Sequence, residues 1–152
     1  MSAFELIRFK NAPDRYKPIK ATEGASGFDV FANITTPIRI DAGKRATVPT
    51  GFGIKLDIGW EVQVRSRSGL AHKHGVYVLN SPGTIDSDYT GQVYVILQNS
   101  GDDVFFVQPG MRIAQLVFST VPNVVLSLPV DGVLLDVDPT ARGDKGLGST
   151  GL

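Results

Sequence analysis

Val76-Tyr77-Val78-Leu79-Asn80-Ser81-Pro82-Gly83-Thr84-Ile85-Asp86-Ser87-Asp88-Tyr89-Thr90-Gly91-Gln92-Val93-Tyr94-Val95-Ile96-Leu97 places a polar, acid-bearing segment between two apolar runs. Both runs are rich in β-branched and aromatic residues and read as strands. Ser81-Pro82-Gly83 is turn chemistry, because proline fixes φ and glycine supplies positive φ. The stretch therefore reads as a hairpin with Asp86, Asp88 and Tyr89 at its mouth. Backbone groups there are free to meet a ligand, and a nearby carboxylate can take a proton from water. A bare loop with solvated acids has the same local composition, so the rest of the chain decides.

Working outward, the same grammar repeats. Short apolar runs alternate with turns, and the chain of 152 residues carries 17 glycines and 9 prolines. That pattern belongs to an all-β fold and not to a helical bundle. Strands are expected at Phe4–Phe9, Phe28–Ala32 and Ile38–Ile40, then from Ala46 to Leu56 with a break at Pro49 and Gly51. Trp60-Glu61-Val62-Gln63-Val64-Arg65 alternates most cleanly, with Trp60, Val62 and Val64 on one face. Further strands are expected at Val104–Val107 and Ile113–Phe118, with one more at Val124–Leu128. Asn11–Lys20, with Pro13 and Pro18, reads as an extended crossing segment. One short helix is expected after Arg67, with Ser68 as N-cap and Gly75 as stop.

Composition limits the function. Formal net charge is zero, which disfavours a basic nucleic-acid binder or a polybasic membrane protein. There is no cysteine, so no disulfide and no thiolate metal site. No apolar run reaches membrane-spanning length, and the first residues lack a signal-peptide core. The expectation is a soluble cytoplasmic protein.

Three other pieces could carry chemistry. Arg67-Ser68-Gly69 at a helix start offers amides, a hydroxyl and a guanidinium to an anion, although Ser68 could simply cap the helix. From Asp136 the apolar pattern fades, and Arg142-Gly143-Asp144-Lys145-Gly146-Leu147-Gly148-Ser149-Thr150-Gly151 reads as a flexible, Gly-rich tail. Its donors could wrap a phosphate, or it could be a plain terminus. Gln115 sits in an apolar strand and needs a polar partner or a solvent face. His72 and His74 diverge on a helix and lack a third nitrogen ligand, so zinc is not expected. No nucleophile elbow is present.

Together these pieces resemble the trimeric dUTPase family over almost the whole chain. Five segments fit in order: Ala25–Val30, Arg67–Leu70, Gly83–Gly91, Pro109–Leu116 and Arg142–Gly151. The resemblance implies a jelly-roll-type β-barrel over residues 1–135. It also implies a C-terminal arm, 136–152, that closes over a neighbouring subunit's site in a homotrimer. The implied reaction is hydrolysis of dUTP to dUMP and pyrophosphate with Mg²⁺ on the triphosphate. That reaction keeps uracil out of DNA and supplies dUMP for dTTP synthesis.

By the same resemblance, Asp86 is the general base and Tyr89 packs on the deoxyribose. Asn80, with Gly83, Thr84 and Ile85, reads the uracil edge. Arg67, Ser68, Gly69 and Gln115 hold phosphates, joined from the tail by Arg142, Gly148, Ser149 and Thr150. Asp29 serves the metal's water shell. Leu147 stands where the family usually has an aromatic over the uracil, which removes a stacking contribution of about 1 kcal/mol. Ser66 replaces a frequent proline, and Pro82 removes one backbone donor from the hairpin.

The nearest rival, dCTP deaminase, resembles this fold but places a catalytic glutamate on the strand after the hairpin. Gln92–Asn99 has none. A different class is a family relative from a virus or phage, kept mainly to bind a regulatory protein.

Overall fold

The computed structural model describes residues 4–9 and 12–128. It is an all-β barrel of jelly-roll type with one short helix. One compact unit ends at Pro122. Its strands are β1 (Glu5–Arg8), β2 (Ile19–Lys20), β3 (Phe28–Phe31), β4 (Ile38–Ile40), β5 (Arg45–Pro49) and β6 (Phe52–Lys55). After them come β7 (Trp60–Arg65), helix α1 (Ser68–His74), β8 (Val76–Val78), β9 (Gly83–Ile85), β10 (Tyr94–Asn99), β11 (Phe105–Val107) and β12 (Arg112–Thr120).

A five-stranded sheet runs β2-β3-β12-β7-β9 and faces a three-stranded sheet β5-β10-β8; the pairs β1-β6 and β11-β4 complete the wall. The core is aliphatic, with Val30, Val48, Val62, Val95, Leu97 and Leu116 at 1% exposure or less. Burying each such side chain contributes about 1.5–3 kcal/mol. Alternation in β7 holds as expected, with Val62 and Val64 buried and Arg65 exposed. Pro49 and Gly51 divide their segment into β5 and β6.

Several expectations change. The opening stretch is a β8–β10 antiparallel pair with Leu97 opposite Val78, but the connection is no simple turn. Within it, β9 leaves to join the other sheet beside β7. Gly83, Thr84 and Ile85 are thus strand residues. Of the segment expected to be extended, the described residues 12–20 are not simply so, since Asp14–Tyr16 forms a 3-10 turn before β2. Ser68 is the first helical residue, and Arg67 occupies the N-cap without a side-chain capping bond. Ser68 therefore does not cap α1. Gly75 ends it as expected, in a left-handed conformation. Val124–Leu128 forms no strand; these residues are exposed and have no ladder partner among the described residues. The arm expected at 136–152 lies outside the described residues.

An apolar groove of about 700 Å³ is floored by Phe4, Phe28, Trp60 and Phe118. The ring centroids of Phe4 lie 5.3 Å from Trp60 and 5.4 Å from Phe118. None of the candidate site residues line it. Among the described residues no helix is long and apolar enough to cross a membrane.

Candidate active site

Two clusters arise from the register of the five-stranded sheet. In one cross-strand row Asp29 of β3 faces Gln115 of β12, which faces Arg65 of β7. In the next row Phe28, Leu116, Val64 and Gly83 follow one another. Strand side chains alternate between faces. With Leu116 and Val64 in the core, the Asp29–Gln115–Arg65 row lies on the opposite, polar face.

A bulge extends this row. Arg112 faces Phe31 while Ala114 faces Val30, leaving Ile113 as the extra residue. A bulge shifts the alternation by one residue. Both Ile113 and Ala114 are accordingly buried, and Arg112 returns to the polar face. There its Nη1 lies 3.2 Å from Asp29 Oδ2, while Arg67 Nε lies 3.1 Å from Asp29 Oδ1. Arg67 Nη1 also donates to the Arg112 carbonyl at 3.2 Å. The Asp29 side chain is 14% exposed, so it is a shielded carboxylate between two guanidinium groups. The cluster carries a surplus positive charge, and such forks favour carboxylate or phosphate oxygens.

Gln115 lies at the centre of the row. Its Nε2 donates to the Ser66 carbonyl at 3.0 Å, answering the need for a partner. It packs so closely over Gly27 that a Cβ there would meet Oε1 at 2.4 Å. Ser66 in turn accepts the Val78 N–H on Oγ at 2.9 Å. These contacts fix the β7–α1 connection, after which Ser68 and Gly69 open the helix.

The second cluster is a cleft of about 230 Å³ along β9. Asn80, Thr84, Asp86, Tyr89 and Tyr94 line it, with Gly83 and Ile85 in its wall. β9 is the last strand of its sheet, so its far edge offers backbone groups to a ligand. Asp86 borders the cleft and Asp88 does not. Tyr89 folds back over its own backbone and donates from its hydroxyl to the Gln92 carbonyl at 2.8 Å. A Cβ on Gly91 would lie 2.5 Å from that hydroxyl, so the ring position requires glycine there. The Ser81–Pro82 bond, immediately before β9, is cis.

The expected residues thus separate into Asn80, Gly83, Thr84, Ile85, Asp86 and Tyr89 at the cleft, and Asp29, Arg67 and Gln115 in the cationic row. The cleft lining includes none of Asp29, Arg67 and Gln115, and no side-chain hydrogen bond of those three reaches a residue that lines it. Arg142, Leu147, Gly148, Ser149 and Thr150 lie outside the described residues. Sequence reasoning assigned no role to Arg112, Gln92 or Tyr94. Arg112 lies within Pro109–Leu116, but its pairing with Asp29 depends on the bulge.

No group of three or more His, Asp or Glu side chains able to hold a metal occurs among the described residues. Asp29 has each oxygen engaged by one arginine. Each oxygen keeps a second lone pair, which suits a metal-bound water better than direct ligation.

The fold and its two clusters define a jelly-roll β-barrel protein with a cationic row and a separate acid-bordered cleft. The dUTPase family profile matches residues 16–151. A deoxyuridine 5'-triphosphate nucleotidohydrolase of Chlamydia trachomatis serovar L2 is 53% identical over 134 residues, covering 88% of this chain and 90% of that protein. The Chlamydia pneumoniae protein of the same name is 50% identical over the same coverage. The chain belongs to the dUTPase family. Among solved structures, the dUTPase of Staphylococcus bacteriophage 80alpha with dUPNHPP superimposes with a TM-score of 0.83 at 20% identity, covering both chains fully. A mutant dUTPase of phage phi11 of S. aureus, described as coordinating a structural Mg(II) ion, gives 0.72 at 15% identity, over 86% of this chain and 99% of that one.

Proposed function

We propose that this chain is a dUTP diphosphatase, hydrolysing dUTP to dUMP and pyrophosphate. The observation that carries the reading is Asp86 at the border of a cleft walled by Tyr89 and a free strand edge, in a chain half-identical to named nucleotidohydrolases.

Asp86 accepts a proton from the water that attacks the α-phosphorus. The bond from that phosphorus to the bridging oxygen breaks, and pyrophosphate leaves. Such a reaction needs alignment and charge neutralisation more than covalent help. Asn80 and the backbone of Gly83, Thr84 and Ile85 meet the polar edge of uracil. The Tyr89 ring, held against Gly91, packs on the deoxyribose and leaves no room for a 2′-hydroxyl. Arg67, Ser68, Gly69 and Gln115 hold phosphate oxygens.

Mg²⁺ bound on the triphosphate would neutralise part of its charge, with Asp29 accepting hydrogen bonds from the ion's water. Magnesium commonly keeps several waters and relies on substrate phosphates, which fits a lone, doubly paired carboxylate.

Among the described residues the cleft lining includes no member of the cationic row, which supports a homotrimer with sites shared at its interfaces. In that assembly Arg142, Gly148, Ser149 and Thr150 of a neighbour's tail close over the phosphates, and Leu147 covers the uracil. The enzyme acts in the cytoplasm on a soluble nucleotide.

The test is pyrophosphate release from dUTP with Mg²⁺, alongside dCTP, dTTP and UTP. Release is expected from dUTP alone and to be nearly abolished in Asp86→Asn. Equal release from that variant, or none from the folded wild type, rejects the reading.

A further inference from the structure

The side chain of Gln92 is one of few buried polar groups in the core, at 8% exposure. It sits in the wall of the cleft beneath the two tyrosines and joins three segments. Its Oε1 accepts the Gly51 N–H at 2.7 Å, and its Nε2 donates to the Tyr94 hydroxyl at 3.0 Å. Its main-chain carbonyl accepts from the Tyr89 hydroxyl at 2.8 Å. An amide N–H can only donate, so Gly51 fixes which way the Gln92 amide faces. The amide then necessarily presents its NH₂ to Tyr94.

The anchor behind Gln92 is firm. The next residue, Val93, is 3% exposed, and its N–H donates to the Phe52 carbonyl at 2.8 Å. The Val93 carbonyl accepts from Thr50 Oγ1 at 2.8 Å. The turn between β5 and β6 is therefore bonded to residues 92 and 93. Both tyrosines project from this anchored point into the cleft, Tyr89 at 43% and Tyr94 at 48% exposure.

The two hydroxyls differ. Tyr89 spends its proton on the Gln92 carbonyl. Tyr94 accepts from Gln92, so its own proton stays available to an oxygen in the cleft.

We propose that Tyr94 is a second aromatic wall of the cleft, contacting the nucleoside part of the substrate, and that Gln92 is the positioning residue that orients both tyrosines. This rests on the reading of the cleft as the nucleoside end of the site. Gln92 acts through the rings and touches no reacting atom. Its effect falls on binding of the nucleoside and leaves the phosphorus chemistry largely alone.

The experiment compares wild type, Gln92→Met, Gln92→Glu and Tyr94→Leu by dUTP turnover and by calorimetric titration with dUMP. Gln92→Met keeps the volume but loses both amide bonds. It is expected to raise the KM for dUTP and weaken dUMP by about tenfold, with kcat changed far less. Tyr94→Leu, at an exposed position, is expected to weaken dUMP by about tenfold through lost stacking. Gln92→Glu still accepts from Gly51 and holds the Tyr94 ring by accepting its proton, which is then no longer offered to the cleft; its dUMP affinity is expected to lie between those of Gln92→Met and wild type.

Wild-type dUMP affinity in either Tyr94→Leu or folded Gln92→Met overturns the inference, as does no dUMP binding by the wild type. If Gln92→Met fails to fold, Tyr94→Leu and Gln92→Glu decide. A wild type that binds dUMP with the expected order among variants, yet releases no pyrophosphate from dUTP, leaves this inference standing and rejects the proposed reaction.

Discussion

Ser66 shows how much one hydroxyl can organise. Its Oγ accepts the Val78 N–H, and its carbonyl receives the Gln115 amide. A proline, frequent at this place in the family, would keep the carbonyl and lose the hydroxyl. The serine thus ties β8 to the connection that carries Arg67. Ser66→Ala leaves a partly buried N–H without a partner, and the expected loss is about 1–3 kcal/mol of stability in urea unfolding. No change in the midpoint would show that water replaces the hydroxyl. Nothing local to Ser66 advertises this role. Its partners lie 12 and 49 residues away, and a pattern read within a window does not reach them.

Strand β12 is the element on which the site depends most. It pairs with β3 on one side and β7 on the other, and it carries Arg112 and Gln115 on one face. On the other face Leu116, 1% exposed, packs between Phe28 and Val64. Leu116→Ala should cost about 2–5 kcal/mol by removing buried methyl groups and leaving a cavity, measured by chemical denaturation. A loss well under that range would mean the sheet collapses onto the gap. Elements with a single environment on each face were legible in the sequence, and β7 is the clearest, because alternation there reports burial directly. β9 was not legible, since three residues inside turn chemistry carry no period. Val124–Leu128 misled for the opposite reason. Apolar composition signals a strand only when a neighbour supplies a ladder, and none does so among the described residues.

For the whole molecule, most of the candidate site was readable as motifs, while its division into two clusters was not. Asp86, Asn80 and Tyr89 announce themselves near one turn. The pairing of Asp29 with Arg112 spans 83 residues and needs β3 and β12 in register, with the bulge between Arg112 and Ala114. If the clusters of different subunits meet in a homotrimer, two inactive variants should complement each other. Asp86→Asn and Arg67→Ala, unfolded together in equal amounts and refolded, would form mixed trimers in which about a quarter of the sites are intact, if each draws these residues from two subunits. Pyrophosphate release well above either variant alone is expected; none would place both clusters of a working site in one chain. The bulge in β12 also fixes what kind of change the site tolerates. Arg112 reaches Asp29 because of how many residues precede Ala114, not because residue 113 is isoleucine. Exchanging Ile113 for another aliphatic keeps the count and the cationic row. Deleting it restores the simple alternation and turns the arginine toward the core. The strand's arithmetic, one residue out of step, is therefore inherited by descent as a length, and lineages should vary the letter at 113 far more freely than the spacing around it.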